Sequence, residues 1–102
     1  MLIKKRVNNV LYDITEAEMI ASYAYNDIYA KDYYCEELYQ KTNGEYFLFG
    51  YGRSESRYAL HPNQKSKYGI GSDITPLSDS EAIEWMIEYS RDTYNRIYRH
   101  KH

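Results

Sequence analysis

The sequence has few of the residues from which catalytic and metal sites are usually built. It contains one cysteine, Cys35, which excludes an internal disulfide and a cysteine-based zinc cluster. Its three histidines, His61, His100 and His102, lack the spacing of a helix metal site. We therefore predict a protein that is not an enzyme, with no catalytic residue, no metal and no cofactor. A nucleophilic Cys35–His61 pair is the enzymatic alternative.

Long apolar segments are missing as well. No run approaches the roughly 20 apolar residues that a membrane-spanning helix needs. The basic residues Lys4, Lys5 and Arg6 follow two apolar residues and precede no apolar stretch, which is not the order of a signal peptide. We expect a single cytoplasmic domain over residues 1–102 that makes no use of a membrane. In a cytoplasmic protein, the ordinary interpretation of Cys35 is a buried and chemically inert side chain, and the alternative is a reactive thiol.

The residue that is abundant is tyrosine. The chain has 14 tyrosines against 2 phenylalanines and 1 tryptophan. A tyrosine ring can fill the edge of a core, but its hydroxyl needs a partner or water. So many tyrosines predict that several lie on the surface, where they are typical of sites that bind proteins or bases.

Two hairpins are predicted from local turn chemistry. The first joins strands Leu2–Arg6 and Val10–Asp13 through Asn8-Asn9, because asparagine tolerates positive φ. The second joins Tyr33–Thr42 and Glu45–Tyr51 through Asn43-Gly44, a pair that predicts a type I′ turn.

Two helices are predicted from capping-box patterns. Thr15 and Glu18 precede an apolar stretch up to Ala24, and Ser78 and Glu81 precede a longer one that contains Trp85. We expect a break in the second helix near Ser90 or Asp92, and exposure of the acidic side chains on its outer side. These are Glu81, Glu84 and Glu88.

Between the second hairpin and the last helix, residues 50–72 contain four of the five glycines and a proline. They predict a long loop with at most a short strand near Tyr58-Ala59-Leu60, and Ile74–Leu77 predicts a short strand or connector. The predicted fold is therefore α+β. It is an antiparallel sheet of four or five strands, formed from two hairpins, with two helices packed on one face.

A series of short motifs resembles a known group of proteins. The motifs are Leu11-Tyr12-Asp13, Glu36-Glu37-Leu38-Tyr39, Gly44-Glu45-Tyr46-Phe47-Leu48, Gly50 with Gly52, Tyr58-Ala59, Pro76-Leu77-Ser78, Glu81-Ala82 and Glu84-Trp85. The series resembles small, poorly characterised phage, plasmid and other mobile-element proteins of Gram-positive bacteria. That resemblance implies inhibition of a host defence system, with anti-CRISPR activity as the best-known case. It assigns no functional residues, and the charged segment 53–57 departs from the glycine-rich stretch expected there.

Charge is arranged in blocks although the net charge is only −2. Residues 7–52 carry eight acids against two bases and residues 73–88 carry five acids and no base, whereas residues 53–67 are net positive. The ordinary interpretation is a mixed, solvated surface. Two functional interpretations compete with it.

The first is an acidic, tyrosine-bearing face that binds a protein. Carboxylates placed on one surface would steer association with a basic groove of a nucleic-acid-binding effector. Its predicted residues are Tyr25, Asp27, Tyr29, Asp32, Tyr33, Glu36, Glu84 and Glu88. This face predicts a non-enzymatic inhibitor or adaptor that binds a protein. The resemblance implies that such a protein comes from a mobile element and that its partner is a host-defence protein.

The second is a basic, tyrosine-rich loop that binds nucleic acid. Cations would contact phosphates while rings stack on bases. Its residues are Tyr51, Arg53, Arg57, Tyr58, Lys65, Lys67 and Tyr68. A homodimer is a further alternative, because exposed aromatic rings also serve contacts between identical chains.

Overall fold

The computed structural model describes residues 3–60 and 71–98. It contains six strands: β1 (Lys4–Val7), β2 (Val10–Asp13), β3 (Ala17–Tyr25), β4 (Tyr34–Lys41), β5 (Tyr46–Gly52) and β6 (Gly71–Leu77). Two α-helices follow, α1 (Asp79–Tyr89) and α2 (Arg91–Ile97), and two 3₁₀ helices, η1 (Ile14–Glu16) and η2 (Arg57–Leu60), interrupt the strands.

Strands β3 to β6 form one antiparallel sheet in the order β3-β4-β5-β6, and β1 and β2 form a separate two-stranded sheet. The predicted α+β class, with a four-stranded antiparallel sheet and two helices, is confirmed. The first hairpin is not a part of that sheet. It lies over the face opposite the helices, where Val7, Val10 and Tyr12 pack on the sheet.

The helix predicted after Thr15 is wrong, because those residues form strand β3. Local propensity is overridden here by pairing along the whole of β4. Ala21 and Tyr23 contact the core under the helices, whereas Ser22 and Ala24 are exposed, which is the two-residue alternation of a strand. The Thr15–Glu18 capping box does not form. Thr15 instead donates its N–H and its hydroxyl to Asp13 Oδ1, at 2.9 and 2.7 Å.

Both hairpins are confirmed, but only one has the expected turn. Asn8 and Asn9 have φ values of 51° and 65°, as the first turn requires. In the second hairpin, Gly44 has positive φ (94°) and Asn43 does not. The Gly44 N–H donates to the Lys41 carbonyl at 2.9 Å, which closes a three-residue loop with a bulge at Gly44 in place of the type I′ turn.

The capping box at Ser78 is confirmed, and it fixes the start of α1. The Glu81 N–H donates to Ser78 Oγ at 3.1 Å, and the Ser78 N–H donates to Glu81 Oε1 at 2.8 Å. The predicted break falls at Ser90, so this one region supplies both helices. Glu81, Glu84 and Glu88 are exposed as expected.

Two clusters of buried side chains lie on the two faces of the sheet. We call the first the helix face, where Trp85 and Met86 of α1 pack on Leu38, Tyr46 and Leu48. The second is the hairpin face, formed by Tyr12, Tyr39, Phe47, Phe49 and Ile74. The sheet therefore has a packed layer on each side.

The segment predicted as a long loop is largely structured where it is described. Strand β5 continues to Gly52, and Tyr58-Ala59-Leu60 is the end of η2, so these three residues form a 3₁₀ turn and not a short strand. Gly50 makes this packing possible. A Cβ atom on Gly50 would lie 1.9 Å from the Tyr58 ring, which rests on the helix face at that point.

We predict that Gly50→Ala destabilises the protein by about 2 kcal/mol, because the added methyl group displaces the buried Tyr58 ring. The free energy of unfolding measured by urea denaturation tests this. A double-mutant cycle supplies the control, since Gly50→Ala should be much less harmful when Tyr58→Ala has already removed the ring. Equal losses in both backgrounds would show that the Gly50–Tyr58 contact is not the cause.

Candidate functional site

Glu36, predicted on an acidic surface, is instead almost completely buried, with 1% of its surface exposed. Strand alternation points it to the helix face, and Glu37 to the other face. Three side chains donate to its carboxylate. They are Trp85 Nε1 at 2.9 Å, the Tyr58 hydroxyl at 2.5 Å and Arg57 Nη1 at 3.3 Å.

The Glu36 network is a structural junction. Trp85 belongs to α1, Tyr58 and Arg57 belong to η2, and Glu36 is the third residue of β4, so one carboxylate joins three elements. A buried carboxylate is tolerable only with such hydrogen bonds. Glu36 is therefore not available to a partner, and we remove it from the predicted binding surface.

The predicted nucleic-acid loop is not assembled in the part of the chain that the structure describes. Tyr58 is buried at 6% exposure, so its ring cannot stack on a base. Arg57 is partly engaged by Glu36. Tyr51 and Arg53 are half-buried. The remaining predicted residues, Lys65, Lys67 and Tyr68, lie outside the described residues.

Five predicted protein-binding residues lie together at one end of the sheet. Tyr25 ends β3, and Asp27, Tyr29, Asp32 and Tyr33 lie in the loop of residues 26–33 that leads into β4. We call this segment the 26–33 loop. The other predicted residues, Glu84 and Glu88, are exposed on α1, whose Tyr89 ring lies 4.5 Å from the Tyr23 ring of β3.

The exposed apolar side chains are concentrated at this loop. Among the described residues, the large hydrophobic side chains that are exposed are Ile3, Leu11, Met19, Tyr25, Ile28 and Tyr29. Three of them fall within residues 25–29, and Ile28 and Tyr29 are 57% and 85% exposed. Sequence reasoning missed Ile28. Its only signal was an aliphatic residue between polar ones in a predicted loop.

The 26–33 loop is held by its own hydrogen bonds. Asn26, with φ of 69°, donates from Nδ2 to Asp32 Oδ1 at 2.9 Å. Asp27 Oδ1 accepts from the Tyr29 N–H at 2.9 Å, and the Asp27 carbonyl accepts from the Ala30 N–H at 2.8 Å. The backbone around Ile28 and Tyr29 is thus fixed although both side chains face solvent.

A neighbouring segment supports the loop from one side. The Arg53 N–H donates to the Tyr33 carbonyl at 2.9 Å, and the Glu55 N–H donates to the Lys31 carbonyl at 2.8 Å. The Tyr25 ring stacks on the Tyr34 ring at 5.3 Å. The acidic surface and the start of the predicted basic loop are therefore neighbours, and they form one end of the molecule.

On the hairpin face, the hydroxyls of Tyr12 and Tyr39 donate to acidic side chains. The Tyr39 hydroxyl donates to Glu37 Oε1 at 2.9 Å, and burial together with that bond raises the pKa of Tyr39 to about 12. Burial also raises the pKa of the Cys35 thiol above its ordinary value. A thiolate is disfavoured there, which supports the interpretation of Cys35 as a buried, inert residue.

Over residues 3–60 and 71–98, no group of three or more histidine, cysteine or acidic side chains is arranged to hold a metal ion. The same residues include no helix with the length and apolar character needed to cross a membrane. Comparison with known protein families, with curated proteins and with solved structures finds no match. The resemblance to mobile-element proteins accordingly stays a prediction.

We predict that Glu36→Ala lowers the free energy of unfolding by about 3 kcal/mol, because the buried Trp85 N–H and Tyr58 hydroxyl lose their acceptor. Glu36→Gln keeps an acceptor oxygen and should lose less. Glu84→Ala, at an exposed position on α1, is the matched control and should change stability by less than about 0.5 kcal/mol. Urea denaturation followed by Trp85 fluorescence measures all three. A Glu36→Ala protein as stable as the control would contradict the junction.

Alkaline pH should destabilise the fold. The raised pKa of Tyr39 means that the folded state favours the neutral phenol. The stability that this preference adds to the fold is complete below pH 10.0, the ordinary pKa of tyrosine, and is lost as the pH rises towards about 12. The pKa of Tyr46 and of Tyr58 is raised as well, mainly by burial. The urea midpoint measured across that range should fall, and it should fall less steeply in Tyr39→Phe. An unchanged slope in Tyr39→Phe would refute the contribution of this phenol.

Proposed function

We propose that this protein is a non-enzymatic inhibitor or adaptor that binds another protein through the 26–33 loop. The observation that carries the proposal is the display of Ile28 and Tyr29, two strongly exposed apolar side chains, on a backbone fixed by hydrogen bonds. An exposed apolar cluster with a polar rim is typical of a protein-interaction site.

The physical advantage of this loop is its pre-organisation. Binding through a flexible loop loses affinity to the entropy of ordering it. Here the Asn26–Asp32 and Asp27–Tyr29 hydrogen bonds are already formed without a partner. Tyr29 supplies a large ring with few rotatable bonds, and tyrosine is among the residues that contribute most to interface affinity. We infer that Tyr29 is the main anchor and Ile28 the second.

Charge favours a basic partner. The loop carries Asp27 and Asp32 against one base, Lys31, and the exposed side of α1 adds Glu84 and Glu88. Such carboxylates raise the rate of encounter with a positive surface and exclude acidic ones. The positive groove of a nucleic-acid-binding protein has this chemistry. An effector of a host defence system is the specific partner class that we propose, and the resemblance to mobile-element proteins supports that choice.

We predict that Tyr29→Ala weakens partner binding about 30-fold, and Ile28→Ala somewhat less, because both remove apolar contact from the centre of the interface. The first measurement is a pull-down of the tagged protein from host lysate with and without nuclease, read by mass spectrometry. The partner should survive nuclease treatment and be retained by the wild type. Affinity for that partner is then measured by calorimetry for each variant.

Leu11→Ala is the control, since Leu11 is also an exposed apolar residue, at 40%, and lies on the hairpin that covers the other face. It should bind as the wild type does. Loss of the partner in Leu11→Ala with retention in Tyr29→Ala would move the site to the hairpin. Partners lost only on nuclease treatment would favour the nucleic-acid alternative. Failure to protect phage or plasmid in a host with active CRISPR would reject the defence effector as the partner.

A further inference from the structure

The two edge strands of the sheet differ in how they are protected. Strand β6 contains Pro76, which has no N–H to offer to a further strand. The β1–β2 hairpin also reaches this edge, where Lys5 Nζ donates to Asp73 Oδ1 at 2.8 Å. Natural sheets use such devices to prevent a further strand from adding.

In the described part of the chain, strand β3 has neither a proline nor a covering hairpin, and its one irregularity is a β-bulge. It is nine residues long, contains neither proline nor lysine, and among the described residues it pairs with β4 alone. The bulge lies between Met19 and Ala21, which leaves the regular segment from Ala21 to Tyr25. On that segment the backbone groups that point away from β4 have the spacing needed to accept another strand.

We propose that β3 pairs with β3 of a second copy of this chain, in antiparallel orientation, to give a continuous eight-stranded sheet. Antiparallel pairing of one edge with its own copy satisfies a two-fold axis, which is the commonest symmetry of protein dimers. This proposal concerns the sheet edge and does not depend on the function of the 26–33 loop.

Self-pairing has a natural register. The regular segment is centred on Tyr23, so a two-fold axis at Tyr23 pairs all five of its residues. In that register Tyr25 lies opposite Ala21 of the second copy, a large side chain against a small one, and Ser22 lies opposite Ala24. Tyr23 faces its own counterpart, and aromatic pairs across strands are stabilising.

Charge is compatible with a second copy. The sequence of β3 has one charged residue, Glu18, and it lies before the bulge, outside the paired segment. Pairing therefore brings no like charges opposite each other. The edge also lacks the charges that would select a different, oppositely charged strand. A second copy is the occupant that these features favour.

The dimer would also extend the core. The helix-face cluster reaches this edge of the sheet through three partly buried side chains, Ile20, Ala21 and Tyr23. A neighbouring copy would continue that cluster across the seam. Because the strands are antiparallel, the two 26–33 loops would emerge at opposite ends of the paired segment.

Sedimentation equilibrium of the full chain over a range of concentrations tests the proposal. The wild type should show a monomer–dimer equilibrium. The double variant S22K/A24K introduces lysines at two exposed positions of β3. In the proposed register each of these lysines faces a lysine of the second copy, so dimerisation should weaken at least about tenfold. The matched control T75K/S80K adds the same charge at two exposed positions of β6 and α1, and should dimerise as the wild type does.

Hydrogen exchange gives a second readout that needs no substitution. In the wild type, the amides of β3 that point away from β4 should become protected as concentration rises, while amides of β6 should not change. A wild type that stays monomeric at every concentration would overturn the proposal, as would a dimer that S22K/A24K leaves intact. Retained binding of a partner protein by a monomeric S22K/A24K would leave the function of the 26–33 loop standing on its own.

Discussion

The positions of α1 and η2 on the sheet depend on the hydrogen bonds that the Glu36 carboxylate accepts. It is buried near the start of β4 and accepts hydrogen bonds from Trp85 of α1 and Tyr58 of η2. A buried acid gains little net stability over an apolar side chain, but its bonds are directional. It therefore sets where the helix and the 3₁₀ turn lie on the sheet. The backbone before η2 in turn supports the 26–33 loop, so an interior carboxylate helps to position an exposed surface.

The tyrosine content follows from the same use of directional contacts. Three tyrosine hydroxyls link separate parts of the fold, in the pairs Tyr12 with Glu45, Tyr46 with Tyr98 and Tyr58 with Glu36. The Tyr39 hydroxyl instead donates to Glu37 within β4. Phenylalanine would fill the same volume without these links. Two tyrosines, Tyr25 and Tyr29, are among the large exposed side chains. Among the described residues, the strongly exposed tyrosines thus lie at the end of β3 and in the 26–33 loop that follows it.

Sequence patterns predicted the elements whose signals are local. The hairpins and the start of α1 depend on asparagine, glycine and a capping box, each of which acts over a few residues. Strand β3 could not be predicted in this way, because its helix-like composition is overruled by pairing with β4. The burial of Tyr58 depends on the absence of a side chain at Gly50, and this contact between η2 and β5 is not encoded in the periodicity of either segment. The alternation of a strand indicated that Glu36 and Glu37 face opposite sides of the sheet. It did not indicate that three side chains donate hydrogen bonds to Glu36.

The exposed loop and the unprotected edge are consecutive along the chain, and this has a consequence for binding. A partner bound at Tyr29 would lie next to the end of β3, so a second copy paired with that strand would lie beside the partner. Two loops held on one rigid sheet would raise the affinity for a partner with two matching sites, because the second contact becomes intramolecular. They would give no such gain for a partner with a single site. The valency of the partner, rather than the strength of one contact, would then decide how much dimerisation contributes to binding.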